Sequence, residues 1–439
     1  MLTLKLAVRG LWRHKVRAII TLVAVVFGQF LFLFFMAMTD GGHDQMIEIG
    51  IRQGRTGHVV VQADGYQESQ AMELLVPDGG AIRDKISNKD NKLNVALRVF
   101  GGGLARTAAG SVGVFFAGVE PEREREVSEL PEKLIKGVYL GAAEKEVGRA
   151  ERSVGELWCA RGSKPGGESV VRSHPVVVGA QLADTLKLQL CDKLVVDAQG
   201  MGSQESRQFR VVGVFKTGNS DLDGAYIQLM LNHAQEILHL GNGVHQVAVF
   251  GESARETESI FADVNKALGD RPGLVVLSWD EVIKEMAELI WLDKVSGYVF
   301  VGILLIIIGT GVLNTVLMSV MERTREFGVM RALGTRSGRI FGLVLVEGAL
   351  IGLIGVIVGS LIGLPVIRYF ETTGIDMSKF SDGDAMEMGG VAITVIKGKL
   401  YPMSFVFATL SVFFMAVLSS IYPAVRAVRM HILKAIHHV

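Results

Sequence analysis

The 439 residues balance 45 Lys and Arg against 45 Asp and Glu, so total charge singles out no partner and gives no reason to expect nucleic acid. Four stretches reach the length of about 20 predominantly apolar residues that a bilayer crossing takes, whereas residues from about 41 to 290 read as mixed, charged and globular. This excludes both a wholly soluble and a wholly embedded chain. The expectation is an α-helical membrane protein whose four transmembrane helices carry a large α/β domain on helical stalks, inserted between helices one and two.

The first span, Ala18–Met38, holds no charge and follows Lys5, Arg9, Arg13, Lys15 and Arg17. It exceeds the apolar core of a secretory signal, about 7–15 residues, and no small-residue cleavage site follows, so a retained anchor is expected. Beyond it, Met46, Ile47, Ile49 and Ile51 recur among polar residues, which extends the helix as a stalk interrupted at Gly41 and Gly42.

The soluble part opens with the strand "HVVVQA" and a turn. "NKLNVALRVFGGGLARTAAGSVGVFFAGVEP" reads as two strands around a small-residue loop, closed by Pro121. The charged run "EREREVSELPEKLIKGVYLGA" is expected on the surface. Further on come a helix over Ala180–Leu188, the strand "KLVVDA", a Gly/Ser turn and the alternating strand "RQFRVVGVFKT". "NHAQEILHL" and "SARETESIFADVNKAL" have helical spacing, with the strand "HQVAVF" between them. A second stalk helix follows, with Val282, Ile283, Met286, Leu289 and Ile290 as one stripe and Ser278 and Glu281 in capping-box register.

Cys159 and Cys191 both fall in this domain. In an oxidising compartment they could form one disulfide, or they could remain two buried thiols, since spacing alone does not test geometry. Two cysteines without a nearby histidine do not make a zinc site.

Val295–Met321 and Leu400–Val425 hold no charge, and Ile340–Ile367 holds only Glu347. Arg323, Arg325, Arg331, Arg336 and Arg339 lie between spans two and three, and Arg426, Arg429 and Lys434 follow span four. The connection between spans three and four is net acidic. The positive-inside rule therefore places both termini and residues 321–340 in the cytoplasm, and residues 41–290 and 371–401 on the opposite side. The expected order is a cytoplasmic lead-in (1–17), span one (18–40), the α/β domain with its first stalk (41–278), a stalk helix (279–294), span two (295–320), a cytoplasmic helix (321–338), span three (339–370), a short loop (371–400), span four (401–424) and a cytoplasmic tail (425–439).

In span three, Gly348 and Gly352 are four apart, as are Gly355, Gly359 and Gly363. Small residues at that spacing let membrane helices approach closely, so this span is expected to pack against others through them. Glu347 is read as a near-interface carboxylate paired with a nearby arginine.

No G-x-x-x-x-G-K-[ST], H-E-x-x-H or G-x-S-x-G occurs, so neither a P-loop nor a hydrolytic motif is present and no enzyme is expected. His233 and His239 are not on ligand spacing and read as surface or core histidines. Spans nearly free of charge, without an internal repeat, argue against an ion-coupled carrier.

The segment "MERTREFGVMRALGTRSGRI" stands apart, because five arginines and two glutamates separate two very apolar stretches. Residues Glu322–Leu333 contain good helix formers, Gly334 fits a helix stop, and Thr335 or Ser337 can cap the next helix. A short helix across the membrane surface is expected, with Phe327, Val329 and Met330 as an exposed apolar knob suited to a partner's groove.

These residues resemble the signature E-R-x-x-E-[IF]-G-[IV]-x-[RK]-A-[LI]-G of the FtsX/MacB-type ABC transporter permeases. Glu322, Arg323, Glu326, Phe327, Gly328, Val329, Arg331, Ala332, Leu333 and Gly334 match it, with Met330 at a variable position. "LAVRGLWRHKVRAIITLVAVVFG", "SWDEVIKEMAELIWLDK" and "YPAVRAVRMHILKAI" extend the likeness over most of the chain, although His431-Ile432 stands where the tail usually has proline. The resemblance implies a type VII permease of the bacterial inner membrane, with its large domain periplasmic. Two permease chains, identical or paralogous, would work with two separate ATPase chains. ATP and Mg would sit on the ATPase, this chain binding no cofactor, and the 321–338 helix would be the ATPase-coupling element.

Within the family, "VVVGAQLADTLKLQLCDKLVV" and "FRVVGVFKTGNSDLDGAYIQLMLNHAQEIL" are similar to the lipoprotein-releasing permeases, with Cys191 where glycine is more usual. That implies extraction of lipoproteins from the inner membrane, with membrane lipids and the lipoprotein, or another periplasmic substrate, as partners. The short, proline-free "DAQGMGSQESRQ" departs from the hook with which one such subunit grips a periplasmic chaperone. MacB-like efflux, or an FtsX-like regulator of a periplasmic hydrolase, is the alternative.

Overall fold

The computed structural model describes residues 15–87, 93–141, 174–269, 271–380, 386–388 and 391–429. It divides into two compact units: Met1–Gln45, Ile290–Asp376 and Val395–Val439 in one, Met46–Leu289 and Met377–Thr394 in the other.

In the second unit, runs of β-branched residues pair into one mixed sheet. Its strands are β1 (Val59–Ala63), β2 (Asn94–Arg106), β3 (Ser111–Val119), β4 (Leu134–Gly137), β5 (His174–Gly179), β6 (Lys193–Gln199), β7 (Gln204–Phe215), β8 (Tyr226–Met230), β9 (Gln246–Phe250) and β10 (Leu274–Ser278). They lie in the order β10-β1-β9-β2-β3-β8-β5-β7-β4, with β6 pairing β2 and β7. Most neighbours are antiparallel, but β3 with β8 and β5 with β7 are parallel.

The two faces of the sheet differ. On one, Val61, Leu97, Phe116 and Val178 are buried with Ile82, Ile237 and Val264 from three amphipathic helices, Gly79–Ile86, Leu231–Leu238 and Thr257–Leu268. On the other, Val60, Ala96 and Ala248 pack with Ile51 and Val127, while Phe100, Ala117 and Val119 pack with Leu130 and Tyr139. Val127 ends the helix Pro121–Val127, so Pro121 opens an element as well as closing one. The charged run is also not all surface. Glu124 is fully buried, receiving Arg98 Nη2 at 2.8 Å and Nε at 3.2 Å, and Arg98 Nη1 donates to the Thr56 carbonyl at 2.6 Å. A buried charge is retained only when so paired.

The helix expected over Ala180–Leu188 ends at Thr185, because Lys187 takes a positive φ of 52°. Ser278 and Glu281 form the capping box, but the helix they open breaks at Ile283 before Lys284 begins the next.

Among the described residues, four helices are long and apolar enough to cross a membrane, lying within Ala18–Arg55, Lys284–Glu322, Ser337–Thr373 and Pro402–Arg429. The first does not break at Gly41 and Gly42 but continues to Gly50, and the turn after it ends where Gly54 has φ +84°. Gly41 instead admits another chain segment, since a Cβ there would run into the Lys397 carbonyl and lie 2.7 Å from Lys399 N. Lys399 N donates to Ala37 O at 2.8 Å, which fixes that approach.

The spaced glycines of the third span divide between two neighbours. A Cβ on Gly348 would collide with Ser420, and one on Gly352 would sit 2.8 Å from Ala416 Cβ, both on the fourth helix. A Cβ on Gly355 would lie 2.9 Å from Val25 Cβ and one on Gly359 would lie 2.8 Å from Val26 O, both on the first. Gly363 has room, its added Cβ meeting Leu33 and Phe30 only at 3.6 Å. Fully buried Gln29 on the first helix donates to Ser360 and Thr409 at 3.4 Å each, tying the same three helices together.

Candidate functional site

The second apolar helix ends at Glu322, where Arg323 (φ −100°, ψ 16°) leaves the helical region, and a new helix runs over Thr324–Ala332. Thr324 donates its hydroxyl to Met321 O at 2.6 Å, satisfying one of the carbonyls that the break frees. The far end closes in a Schellman turn: Gly334, at φ +87°, donates to Arg331 O at 3.0 Å, and Thr335 N donates to Met330 O at 3.0 Å. Neither Thr335 nor Ser337 caps the third apolar helix, whose N-cap position is Arg336 with no side-chain bond.

Two arginines hold this short helix in place. Arg323 pairs with Glu347 of the third span, donates to Glu326 at 3.1 Å, and lies 5.1 Å from the centre of the Phe327 ring. At the other end Arg331 Nη1 donates to Val428 O on the fourth helix at 2.9 Å. Glu347 is therefore matched by an arginine 24 residues earlier in the chain.

The apolar face is divided differently from the sequence expectation. Phe327 is no exposed knob: it is 1 % exposed and shares a core cluster with Val320, Ile340, Val344 and Ala424. The reason is helical phase, because Thr324, Phe327 and Gly328 face inward together. Met330 is half-buried, and Val329 (44 % exposed) and Leu333 (82 %) face outward beside exposed Glu322 and Arg325. The matched residues thus form two sets: Arg323, Phe327, Gly328 and Arg331 anchor the helix, and Glu322, Val329 and Leu333 present a surface.

Cys191 has φ +74°, a conformation that favours glycine. It is disulfide-bonded. Cys159, the other half of the possible pairing, lies outside the described residues. His233 Nε2 is 3.0 Å from His174 Nδ1, and His239 is 2.8 Å from Glu205. The Gly/Ser turn between β6 and β7 is a tight hairpin closing on Gln199 and Gln204.

Residues 298–432 match the family described as FtsX-like permease C-terminal. The chain is 24% identical over 395 residues to the macrolide export ATP-binding/permease protein MacB of Agrobacterium fabrum, covering 87% of this chain and 55% of that protein. It is 21% identical over 351 residues to the lipoprotein-releasing system transmembrane protein LolC of Neisseria meningitidis serogroup B, covering 73% of this chain and 78% of that one. Among solved structures it is similar to the periplasmic region of MacB from Actinobacillus actinomycetemcomitans, with 15% identity, 54% of this chain and 94% of that one covered, and a TM-score of 0.34. The chain spans about half the length of the first curated relatives it matches.

Proposed function

We propose, from the FtsX-like permease domain at residues 298–432, that this chain is the membrane subunit of an ABC transporter and that a separate ATPase docks on the Thr324–Ala332 helix. The observation that carries the reading is the division of that helix. An internal anchor of Arg323, Glu347 and Phe327 holds it rigidly to the spans, while Val329 and Leu333 remain exposed for a partner. A helix fixed at both ends transmits displacement, whereas a flexible loop would absorb it. In this reading the helix and both termini are cytoplasmic, the α/β domain is periplasmic, and ATP and Mg belong to the ATPase.

The substrate reading is lipoprotein extraction from the inner membrane. It is supported by the match covering 78% of LolC, a relative named as a transmembrane protein of a lipoprotein-releasing system. MacB-like efflux stands beside it, supported by the match that covers 87% of this chain. The short β6–β7 hairpin favours a handover without a long chaperone-gripping hook. Purification of the full chain with its ATPase from native membranes separates the two readings. Acylated lipoproteins enriched with the complex support extraction, and their absence from an ATP-hydrolysing complex rejects it.

A further inference from the structure

The chain joining the third and fourth membrane helices takes a longer way than it needs. Those helices pack directly on each other where Gly348 and Gly352 meet Ser420 and Ala416, and packed neighbours are usually joined by about 2–8 residues. Here the connection spans residues 374–401, and its last part crosses the first helix.

Three consecutive backbone N–H groups hold that crossing. Lys397 N donates to Gln45 Oε1 at 2.9 Å, Gly398 N to Phe370 O at 3.3 Å and Lys399 N to Ala37 O at 2.8 Å, so the strap is bonded in turn to the first, third and first helices. Side chains continue the line. Asp44 accepts from Lys399 Nζ at 3.2 Å and from the Tyr401 hydroxyl, and Asp40 accepts from the Ser404 hydroxyl on the fourth helix. Ile396 and Val395 pair with Ile375 and Asp376, which ties the strap to the end of the third helix.

On the first helix the contacts fall at Ala37, Asp40, Gly41, Asp44 and Gln45, spacings of three and four that make one face. Gly41 is where backbone meets backbone: a Cβ there would run into the Lys397 carbonyl. At Gly42, one residue on, a Cβ would meet only Ile396 Cγ2, at 3.8 Å.

The strap and the Thr324–Ala332 helix grip opposite ends of the same two rods. Arg323 and Arg331 fix the short helix to Glu347, near the start of the third helix, and to Val428, near the end of the fourth. Phe370 lies near the end of the third and Ser404 near the start of the fourth. Close-packed helices transmit strain along their length, so what moves one end moves the other.

We propose that residues 397–404 are a coupling strap that makes the outer end of the first helix follow the third and fourth helices. Work delivered at Thr324–Ala332 then reaches residues 37–45 through Gly41, Asp40 and Asp44, which are positioning residues. This rests on the reading of the short helix as an ATPase-docking element and names the route by which its displacement leaves the membrane.

The test is hydrogen–deuterium exchange of the full chain in nanodiscs, alone and with its ABC ATPase trapped by ATP and vanadate. In the chain alone, residues 395–404 should exchange at least tenfold faster in Gly41→Ala than in the parent, and Gly42→Ala should match the parent. With the ATPase trapped, exchange across residues 37–50 should change in the parent and in Gly42→Ala. Gly41→Ala should still retain the ATPase and hydrolyse ATP, yet show no such change. Asp40→Ala/Asp44→Ala leaves the helix backbone untouched and should weaken the response in the same direction, which decides the matter if Gly41→Ala fails to fold. The proposal is overturned if Gly41→Ala exchanges as the parent does at 395–404, or if both variants keep the full nucleotide response. A parent that retains no ATPase rejects the docking reading and the relay with it, whereas exchange in the chain alone still reports on the strap contacts.

Discussion

Arg323 and Glu347 meet as a buried ion pair that ties the start of the short helix to the third membrane helix, their side chains only 8% and 4% exposed. Because Arg323 also serves Glu326 and covers the Phe327 ring, one guanidinium fixes both the position and the phase of Thr324–Ala332. The first prediction follows from what each partner leaves behind. Arg323→Met strands a buried carboxylate and is expected to cost about 3–5 kcal/mol, whereas the double variant Arg323→Met/Glu347→Leu recovers most of that loss. Thermal melting in detergent compares them, and a double variant that melts below Arg323→Met would contradict the pairing.

Helix packing gives the second. Gly359→Ala pushes a Cβ against the Val26 carbonyl and Gln29, backbone and buried side chain that cannot move aside, and is expected to cost about 1–3 kcal/mol. Gly363→Ala meets only ordinary contacts and should change stability little. Gly348→Ala collides with Ser420 alone at closest range, so Ser420→Gly should restore part of its loss. Equal melting temperatures for the Gly359 and Gly363 variants would refute the close approach.

A third concerns pH in the α/β domain. His245 is 1 % exposed, accepts Phe100 N–H on Nδ1 at 3.0 Å, places Nε2 3.3 Å from Met72 O, and stacks on Tyr66. Burial pushes its pKa down to about 4, against an ordinary value near 6.5. Between those values the unfolded chain binds a proton that the folded chain does not, so stability rises with pH through that window. The contribution is complete above about pH 6.5 and is lost as pH falls toward about 4, roughly 3 kcal/mol in all. Melting curves of the full chain at stepped pH should show this slope, and His245→Gln should flatten it.

The fold class was legible because each signal was local: long uncharged apolar runs, alternating strands, and glycines at four-residue spacing. What escaped the sequence depended on which way a side chain turns. The helix at 324–332 was readable, but placing Phe327 inward and Leu333 outward requires the helical phase fixed by Arg323 and Glu347, 24 residues apart. Gly41 and Gly42 looked like a break because a passing chain segment leaves no mark in the local sequence. Glu124 looked exposed because its partner Arg98 lies in a different element. An arginine inside the apolar strand "NVALRVF" was the one available sign of that pair.

The outward face of the short helix carries the account's central claim. Phe327→Asp buries a charge in the core and should prevent folding, so it cannot report on docking. Val329→Asp and Leu333→Asp change exposed positions and should leave melting within about 0.5 kcal/mol of the parent. The direct measurement is copurification of the ABC ATPase with the Val329→Asp/Leu333→Asp chain. The account predicts a folded, membrane-inserted chain that no longer retains or stimulates the ATPase. Undiminished retention and stimulation by that variant would contradict it.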